Sequence, residues 1–231
     1  MSWRNIDGHD GVFIVFEGID GAGTTTQAER YAGHLRNRKR MVRVTREPSG
    51  GPVGSLIRLV LTQRLTFPAA NNAETMALLF AADRLDHNEV DIAPHLRDGS
   101  VVLSDRYDLS SLAYQSATVL GLEGAAGSHE VVRWIRELNK HAMRPDVTVV
   151  LDVSPGVADA RRRARGGMRE LFDDADLQAR LAQAYRGAEE LVPGDRVVHV
   201  DGDGTPDEVA AAVAAALAPF VETRSGRPEP G

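Results

Sequence analysis

A strand-like run followed by a glycine-rich loop and a helical stretch sets the strongest constraint on this fold. The run is "VFIVFE", from Val12 to Glu17, and the loop that follows reads "GIDGAGTT". This order is the context of a phosphate-binding loop, whose pattern is G-x-x-x-x-G-K-[ST]. Gly18 and Gly23 fill the glycine positions, whereas Thr24 stands where the pattern has lysine. The segment therefore predicts an α/β fold with a candidate phosphate site that lacks the usual lysine.

The backbone of such a loop can bind phosphate without the lysine. Glycines let consecutive N–H groups converge on an anion at a helix N-terminus, where the helix dipole favours negative charge. Thr25 can still offer its hydroxyl to Mg²⁺, but a positive charge at the β- and γ-phosphates is lost. The alternative is a glycine-rich turn that binds nothing. The predicted ATP-binding residues are Gly18, Ile19, Asp20, Gly21, Ala22, Gly23, Thr24, Thr25 and Thr26.

Four further β-branched, apolar segments follow along the chain. They lie at 41–47, 101–106, 147–153 and 196–202. Stretches with helical patterning separate them, and we predict helices at 25–38, 72–96, 176–191 and 206–220. Alternating strands and helices imply a parallel sheet that is covered on both faces. The predicted fold is therefore α/β, with a five-stranded parallel sheet flanked by helices.

The length of 231 residues fits one domain or at most two. No internal linker divides the sequence, so we predict a single domain over 11–222, with disordered tails at 1–10 and 223–231. No apolar run approaches the ~20 residues that span a bilayer, and residues 1–11 are too polar for a signal peptide. We therefore expect a cytoplasmic protein that has no membrane partner.

Composition excludes several other classes of function. The chain has no cysteine, which rules out disulfides, thiolate catalysis and Cys-ligated zinc. Its formal net charge of -6 argues against a nucleic-acid partner, because that affinity rests on an excess of basic residues. Lys39 and Lys140 are its only lysines. No lysine of another motif is therefore available to replace the one missing at position 24.

A second candidate site element is the segment "LSDRYDLSSLAYQ", at 103–115. It places Asp105 and Arg106 at the carboxyl end of the third predicted strand, where open parallel sheets bind ligands. The carboxylate of Asp105 could help to hold a metal ion, and the guanidinium of Arg106 could bridge phosphates. The alternative is a solvated salt bridge that closes the strand, which is the commoner role of an isolated Asp-Arg pair.

Four segments in one order resemble the bacterial thymidylate kinases: "FEGIDGAG", "TREPSGGPVGSLIR", "LLFAADR" and "SDRYDLSSLAYQ". The resemblance runs from about residue 12 to 220. It implies a three-layer P-loop nucleoside monophosphate kinase fold, transfer of phosphate from Mg-ATP to dTMP, and a homodimer. Two alternatives stay open, namely a nucleotide-binding protein of this fold with impaired or lost activity, and a kinase for another nucleoside monophosphate.

The resemblance also implies an acceptor site. Arg58 would bind the acceptor phosphate, Phe80 would stack on thymine, and Arg84 would bind the base or the phosphate. Spacing supports the last pair independently, because residues four apart share a helix face. For Phe80 alone, core packing is the alternative. The predicted acceptor residues are Glu47, Arg58, Phe80, Arg84, Arg106, Ser110, Ser111, Tyr114 and Gln115.

The segment "ADARRRARGGMRELFDD" contains five arginines: Arg161, Arg162, Arg163, Arg165 and Arg169. The resemblance implies that it is a short lid, at about 161–173, that supplies a catalytic arginine. We hypothesise that one lid arginine also replaces the missing lysine. The alternative is a solvated helix face whose arginines pair with Asp159, Glu170 and Asp173. The predicted catalytic residues are Asp20, Arg106, Arg163, Arg165 and Arg169.

Overall fold

The computed structural model describes residues 11–67, 72–117, 128–166 and 175–222. Five strands form one parallel sheet with the order β2-β3-β1-β4-β5. The strands are β1 (Val12–Glu17), β2 (Val42–Arg46), β3 (Val101–Asp105), β4 (Val147–Asp152) and β5 (Val197–Asp201). The predicted five-stranded parallel sheet is thus confirmed, and each strand ends within two residues of its predicted bounds.

Helices cover both faces of the sheet. Those before β3 are α1 (Thr24–Asn37), α2 (Pro52–Leu61), α3 (Ala73–His87) and α4 (Ala93–Arg97). Those after it are α5 (Asp108–Ser110), α6 (Ser128–Leu138), α7 (Pro155–Arg165), α8 (Ala175–Arg186), α9 (Ala188–Leu191) and α10 (Pro206–Glu222). None of these described helices has the length and apolarity needed to cross a membrane.

The alternation of side chains along β1 divides the core into two layers. Ile14 and Phe16 pack with Tyr31 of α1 on one face of the sheet. Phe13 and Val15 pack with Leu96 of α4 on the other face. Successive residues of a strand point to opposite faces, and all of β1 is buried, as expected for a central strand of a parallel sheet.

The predicted helix at 72–96 is continuous in the structure from Ala73 to Arg97, but one segment is wound more widely. Asn88–Ile92 forms a π-helical turn between α3 and α4. Pro94 follows this turn at the start of α4. Since proline lacks an N–H and its ring crowds the preceding turn of a helix, the wide turn lets the helical path continue past it.

The structure differs from the sequence predictions in one further helix and contains one helix that was not predicted. The helix predicted at 176–191 is interrupted at Gly187, which separates α8 from α9. Helix α2 was not predicted, although Pro52 at its first turn after Gly51 is a typical start signal. Both predicted tails, and residues 167–173 of the predicted lid, lie outside the described residues.

Candidate active site

The glycine loop leaves the carboxyl end of the central strand and turns into α1. Gly21 and Gly23 have φ angles of 91° and 95°, in the left-handed region that favours glycine. A Cβ at Gly21 would lie 2.4 Å from the carbonyl oxygen of Ala158 in α7, so the loop and α7 are in direct backbone contact. At Gly23 no atom of the described residues lies within 4 Å of such a Cβ. One side of the loop is therefore packed and the other is open.

Several amide groups of the loop are free to bind an anion. Within the described part of the chain, the N–H groups of Gly21, Gly23, Thr24 and Thr25 donate to no protein group. The first N–H groups of a helix have no partner inside it, and the helix dipole adds positive potential at that end. The loop thus has free donors of the kind that bind a phosphate group.

The two threonines that open α1 have different surroundings. The side chain of Thr24 is buried, whereas Thr25 is exposed and its hydroxyl donates to Oδ2 of Asp105. The other carboxylate oxygen of Asp105, Oδ1, is buried and has no hydrogen-bond partner among the described residues. A carboxylate oxygen of this kind fits a hard cation, and Mg²⁺ is typically held by one or two carboxylates plus substrate phosphates. Thr25 and Asp105 therefore remain the predicted metal-binding residues.

Arg106 links the glycine loop to a neighbouring pocket. Its φ angle is 77°, in the left-handed region that non-glycine residues rarely adopt. Its guanidinium donates to the carbonyl oxygen of Gly18 and, at 2.7 Å, to Oδ1 of Asp20. Its Cζ lies 5.4 Å from the centre of the Tyr114 ring, in a cation–π contact. The strained backbone is thus held by contacts to both sides of the site.

Glu17 was not predicted as a site residue, yet it organises the segment after β3. Its buried carboxylate accepts hydrogen bonds from the N–H groups of Tyr107 and Ser110 and from the hydroxyls of Ser110 and Tyr185. Burial raises its pKa to about 7, while the nearby charge of Arg106 acts in the opposite direction. The one sequence signal was an acidic residue at the end of an otherwise apolar strand.

A cavity of about 180 Å³ opens beside Arg106. It brings together all but one of the predicted acceptor residues. The lining residues are Asp20, Glu47, Pro48, Leu61, Phe80, Arg84, Arg106, Tyr107, Ser110, Ser111, Tyr114 and Gln115. A pocket with an aromatic wall and a few convergent polar groups is typical of a small-ligand site.

The polar end of this pocket is a buried ion pair. Arg84, 1% exposed, donates to Oε2 of Glu47 from Nε at 2.9 Å and from Nη2 at 2.6 Å. It also donates to Asn139 and, at 3.2 Å, to Ser111. His87 lies 3.2 Å from the other oxygen of Glu47. Neither His87 nor Asn139 was predicted, because their contacts join segments that are far apart in the sequence.

Arg58 is the predicted acceptor residue that does not line the cavity. Its Nη1 donates to the carbonyl oxygens of Pro48 and Ser49, at 2.9 and 2.6 Å. The same loop is held from the other side by the buried carboxylate of Asp83, which accepts bonds from the N–H and hydroxyl of Ser49. Arg58 therefore lies behind the pocket wall at Pro48.

The arginines of α7 divide into two groups. Arg161 and Arg162 donate to carbonyl oxygens of the glycine loop. Arg163 instead pairs with Asp159 at 2.8 Å, and 80% of its side chain is exposed. Its surroundings are those of a solvated helix face. The side chain of Arg165 and the whole of Arg169 lie outside the described residues.

A larger cleft of about 720 Å³ lies elsewhere, between α6 and the segments that enter β4 and β5. None of the predicted site residues that the structure describes lines this cleft, and two of its cations are paired with carboxylates. Arg144 pairs with Asp108 and Asp195, and Lys140 pairs with Glu137. The smaller cavity next to the glycine loop is therefore the better candidate for the site of chemistry.

Comparison with known proteins gives a consistent result. A family model described as thymidylate kinase matches residues 16–213. A probable thymidylate kinase of Thermococcus kodakarensis is 40% identical over 196 residues, which are 83% of this chain and 91% of the relative. The thymidylate kinase of Cereibacter sphaeroides is 40% identical over 226 residues, which are 93% of this chain and 97% of the relative. The similarity therefore includes the glycine loop, the cavity and α7.

Proposed function

Because the chain belongs to the thymidylate kinase family, we propose that it transfers the γ-phosphoryl group of ATP to dTMP, giving ADP and dTDP. One observation carries this proposal. Arg106 contacts the glycine loop at Gly18 and Asp20, and it also lines the acceptor cavity. A single guanidinium thus lies where the phosphates of a donor and an acceptor would meet.

The cavity suits a pyrimidine base with a carbonyl oxygen. Among the described residues, Arg84 uses four of its five N–H groups on Glu47, Ser111 and Asn139. One N–H on Nη1 remains for a ligand, and a carbonyl oxygen is the matching acceptor. Phe80 lies one helical turn before Arg84 and also lines the cavity, so its ring could stack on the base.

The remaining acceptor residues would hold the sugar and the phosphate. Tyr114 is proposed to crowd the 2′ position of the sugar, and Ser111 and Gln115 to face the base. Arg58 would reach the acceptor phosphate past Pro48, whose carbonyl oxygen it now contacts. Asp20 orients Arg106 rather than acting as a base, because an ionised phosphate acceptor has little need of proton removal.

On the donor side, the free amides of the loop would bind the ATP phosphates, and Arg106 would neutralise charge between the two substrates. Phosphoryl transfer depends mainly on such positioning and charge stabilisation. Thr25 and Asp105 would hold Mg²⁺, whose charge would offset that of the phosphate oxygens. The predicted lid arginines, Arg163, Arg165 and Arg169, are proposed to act when the lid closes over ATP.

We also propose that the chain works as a homodimer in the cytoplasm, with one kinase domain over 11–222. The exposed large apolar side chains among the described residues support the dimer, because they lie along neighbouring segments. They are Leu59, Leu65, Leu78, Leu85 and Val90. Exposed apolar side chains that group together are typical of interfaces in soluble proteins.

The direct test is ADP formation from Mg-ATP with a panel of acceptors: dTMP, dUMP, dCMP, dAMP, dGMP and UMP. The proposal predicts strong turnover with dTMP, weak turnover with dUMP and none with the others. No turnover with any acceptor, while dTMP still raises the melting temperature, would contradict the kinase function and leave a nucleotide-binding protein. Turnover with a different acceptor would overturn the assignment of the base.

A further inference from the structure

Three arginines donate hydrogen bonds to backbone carbonyl oxygens of the glycine loop. Arg106 donates to the carbonyl oxygen of Gly18. Arg162 donates from Nη1 to the carbonyl oxygen of Asp20, at 2.5 Å. Arg161 donates to the carbonyl oxygen of Ala22, at 3.3 Å. In a loop whose N–H groups converge on an anion, carbonyl oxygens point away from it and need donors behind the loop. The guanidinium groups of Arg161 and Arg162, which come from α7, meet that need.

The side chain of Arg162 in α7 packs closely against the glycine loop. Its side chain is only 14% exposed. A Cβ at Gly21 would lie 3.1 Å from Cγ of Arg162 and 2.4 Å from the carbonyl oxygen of Ala158. The glycine is therefore required for α7 to approach this closely. A second bond, from Nη2 to Asp159 at 3.3 Å, fixes the guanidinium from within its own helix.

The other two arginines at the loop, Arg106 and Arg161, have different surroundings. Arg106 lines the acceptor cavity, where it is paired with the carboxylate of Asp20. Arg161 extends toward the carbonyl oxygen of Gly204, at 2.9 Å, beyond the far end of the loop. Among the described arginine side chains of α7, Arg162 combines low exposure with a short bond to the middle of the loop. A charge with so little exposure is poorly screened by salt.

We propose that Arg162 is the positioning residue that replaces the lysine missing at position 24. It holds the carbonyl oxygen of Asp20 so that the loop amides stay directed at the donor phosphates. Its charge also adds positive potential at the loop, where the neutral side chain of Thr24 adds none. The inference rests on the proposed function only for the identity of the anion, which is the phosphate chain of ATP.

The test compares Arg162→Gln with Arg180→Gln, a matched change at an exposed arginine of α8. ADP and adenosine are titrated against each variant by calorimetry. The proposal predicts that Arg162→Gln weakens ADP binding roughly 10- to 100-fold, since a charge-assisted hydrogen bond is lost, and leaves adenosine binding unchanged. Arg180→Gln should stay within about threefold of the parent protein. Equal ADP affinities in the two variants would overturn the proposal.

Rescue separates this role from a merely structural one. Adding Thr24→Lys to Arg162→Gln should restore most of the ADP affinity, whereas Thr24→Lys alone should change it little. Failure of the rescue would also overturn the proposal. If Arg162→Gln does not fold, Arg162→Lys serves instead, with a smaller ADP loss that Thr24→Lys again reverses.

Kinetics with dTMP then distinguish this inference from the proposed function. Arg162→Gln should raise the KM for ATP and leave the KM for dTMP unchanged. A parent protein that binds ADP through Arg162 but phosphorylates no acceptor would contradict the kinase function and leave the inference standing. Normal turnover of dTMP by Arg162→Gln, together with an unchanged ADP affinity, would overturn the inference and leave the kinase function standing.

Discussion

The acceptor pocket and the donor loop meet their ligands in different ways. In the pocket, Arg84 and Glu47 are almost fully buried and are already bonded to each other and to neighbouring side chains. In the loop, the amides of Gly23 and Thr25 are free among the described residues, and the guanidinium of Arg162 contacts a carbonyl oxygen of the loop from α7. A base is recognised by fixed hydrogen-bond geometry, whereas phosphate charge can be met by cations from several directions. The loop can therefore tolerate a change that the pocket could not.

The largest expected effect comes from removing the buried ion pair of the acceptor pocket. Arg84→Met leaves the carboxylate of Glu47 buried without its cation, and breaking a buried ion pair costs about 3–5 kcal/mol. We expect a loss of unfolding free energy of this size and no measurable dTMP binding, while ADP still binds wherever the variant folds. Urea denaturation and calorimetry measure the two effects.

The matched control is Arg163→Met in α7. Its side chain is 80% exposed, so the unfolding free energy should change by no more than about 0.5 kcal/mol. A similar loss in both variants would contradict the contrast between a buried pocket and an exposed helix face.

A second prediction concerns pH and Glu17, which lies between the two regions. Its pKa is raised from the ordinary 4.5 to about 7, so the folded protein favours the protonated form. The stability it contributes is present below pH 4.5 and is lost as pH rises through 7. The shift corresponds to about 3 kcal/mol.

Glu17→Gln should remove this pH dependence. The difference in unfolding free energy between the parent and the variant should change by about 3 kcal/mol between pH 4.5 and pH 8, with the parent losing stability as pH rises. Urea unfolding at several pH values measures it. Parallel pH profiles for the two proteins would show that Glu17 keeps an ordinary pKa in the folded state.

The smallest predicted effect separates the packed side of the loop from its open side. Gly21 and Gly23 both have positive φ, so replacing either by alanine strains the backbone. Only at Gly21 does the new methyl group overlap α7, and overpacking costs about 1–3 kcal/mol more. Gly21→Ala should thus lower the melting temperature and ADP affinity more than Gly23→Ala does. The reverse order would place α7 away from the loop.

Much of the fold followed from local patterns. The β-branched runs predicted all five strands, because a strand buried on both faces must be apolar along its whole length. The loop glycines were found from a motif, whereas Phe80 and Arg84 came from the family resemblance, with helical spacing as independent support. The break at Gly187 and the π-helical turn before Pro94 were missed, since both adjust local helix geometry that hydrophobic periodicity does not encode.

The residues that sequence reasoning missed act through contacts between distant segments. Glu17 accepts a hydrogen bond from Tyr185, Asn139 accepts one from Arg84, and the carbonyl oxygen of Asp20 accepts one from Arg162. Each contact needs the packed sheet and helices before its two partners approach. The run of arginines in α7 was visible in the sequence, but only the fold distinguishes Arg162, on the loop, from Arg163, in solvent.

The acceptor pocket is ordered before ATP binds, and calorimetric titration of dTMP tests this most directly. The titration is run with the free protein and again with a saturating non-hydrolysable ATP analogue and Mg²⁺. We predict that dTMP binds the free protein with a Kd within about tenfold of the value with the analogue, because the pocket is already ordered. Binding of dTMP only after the analogue is present would contradict the account, since the pocket would then depend on the donor.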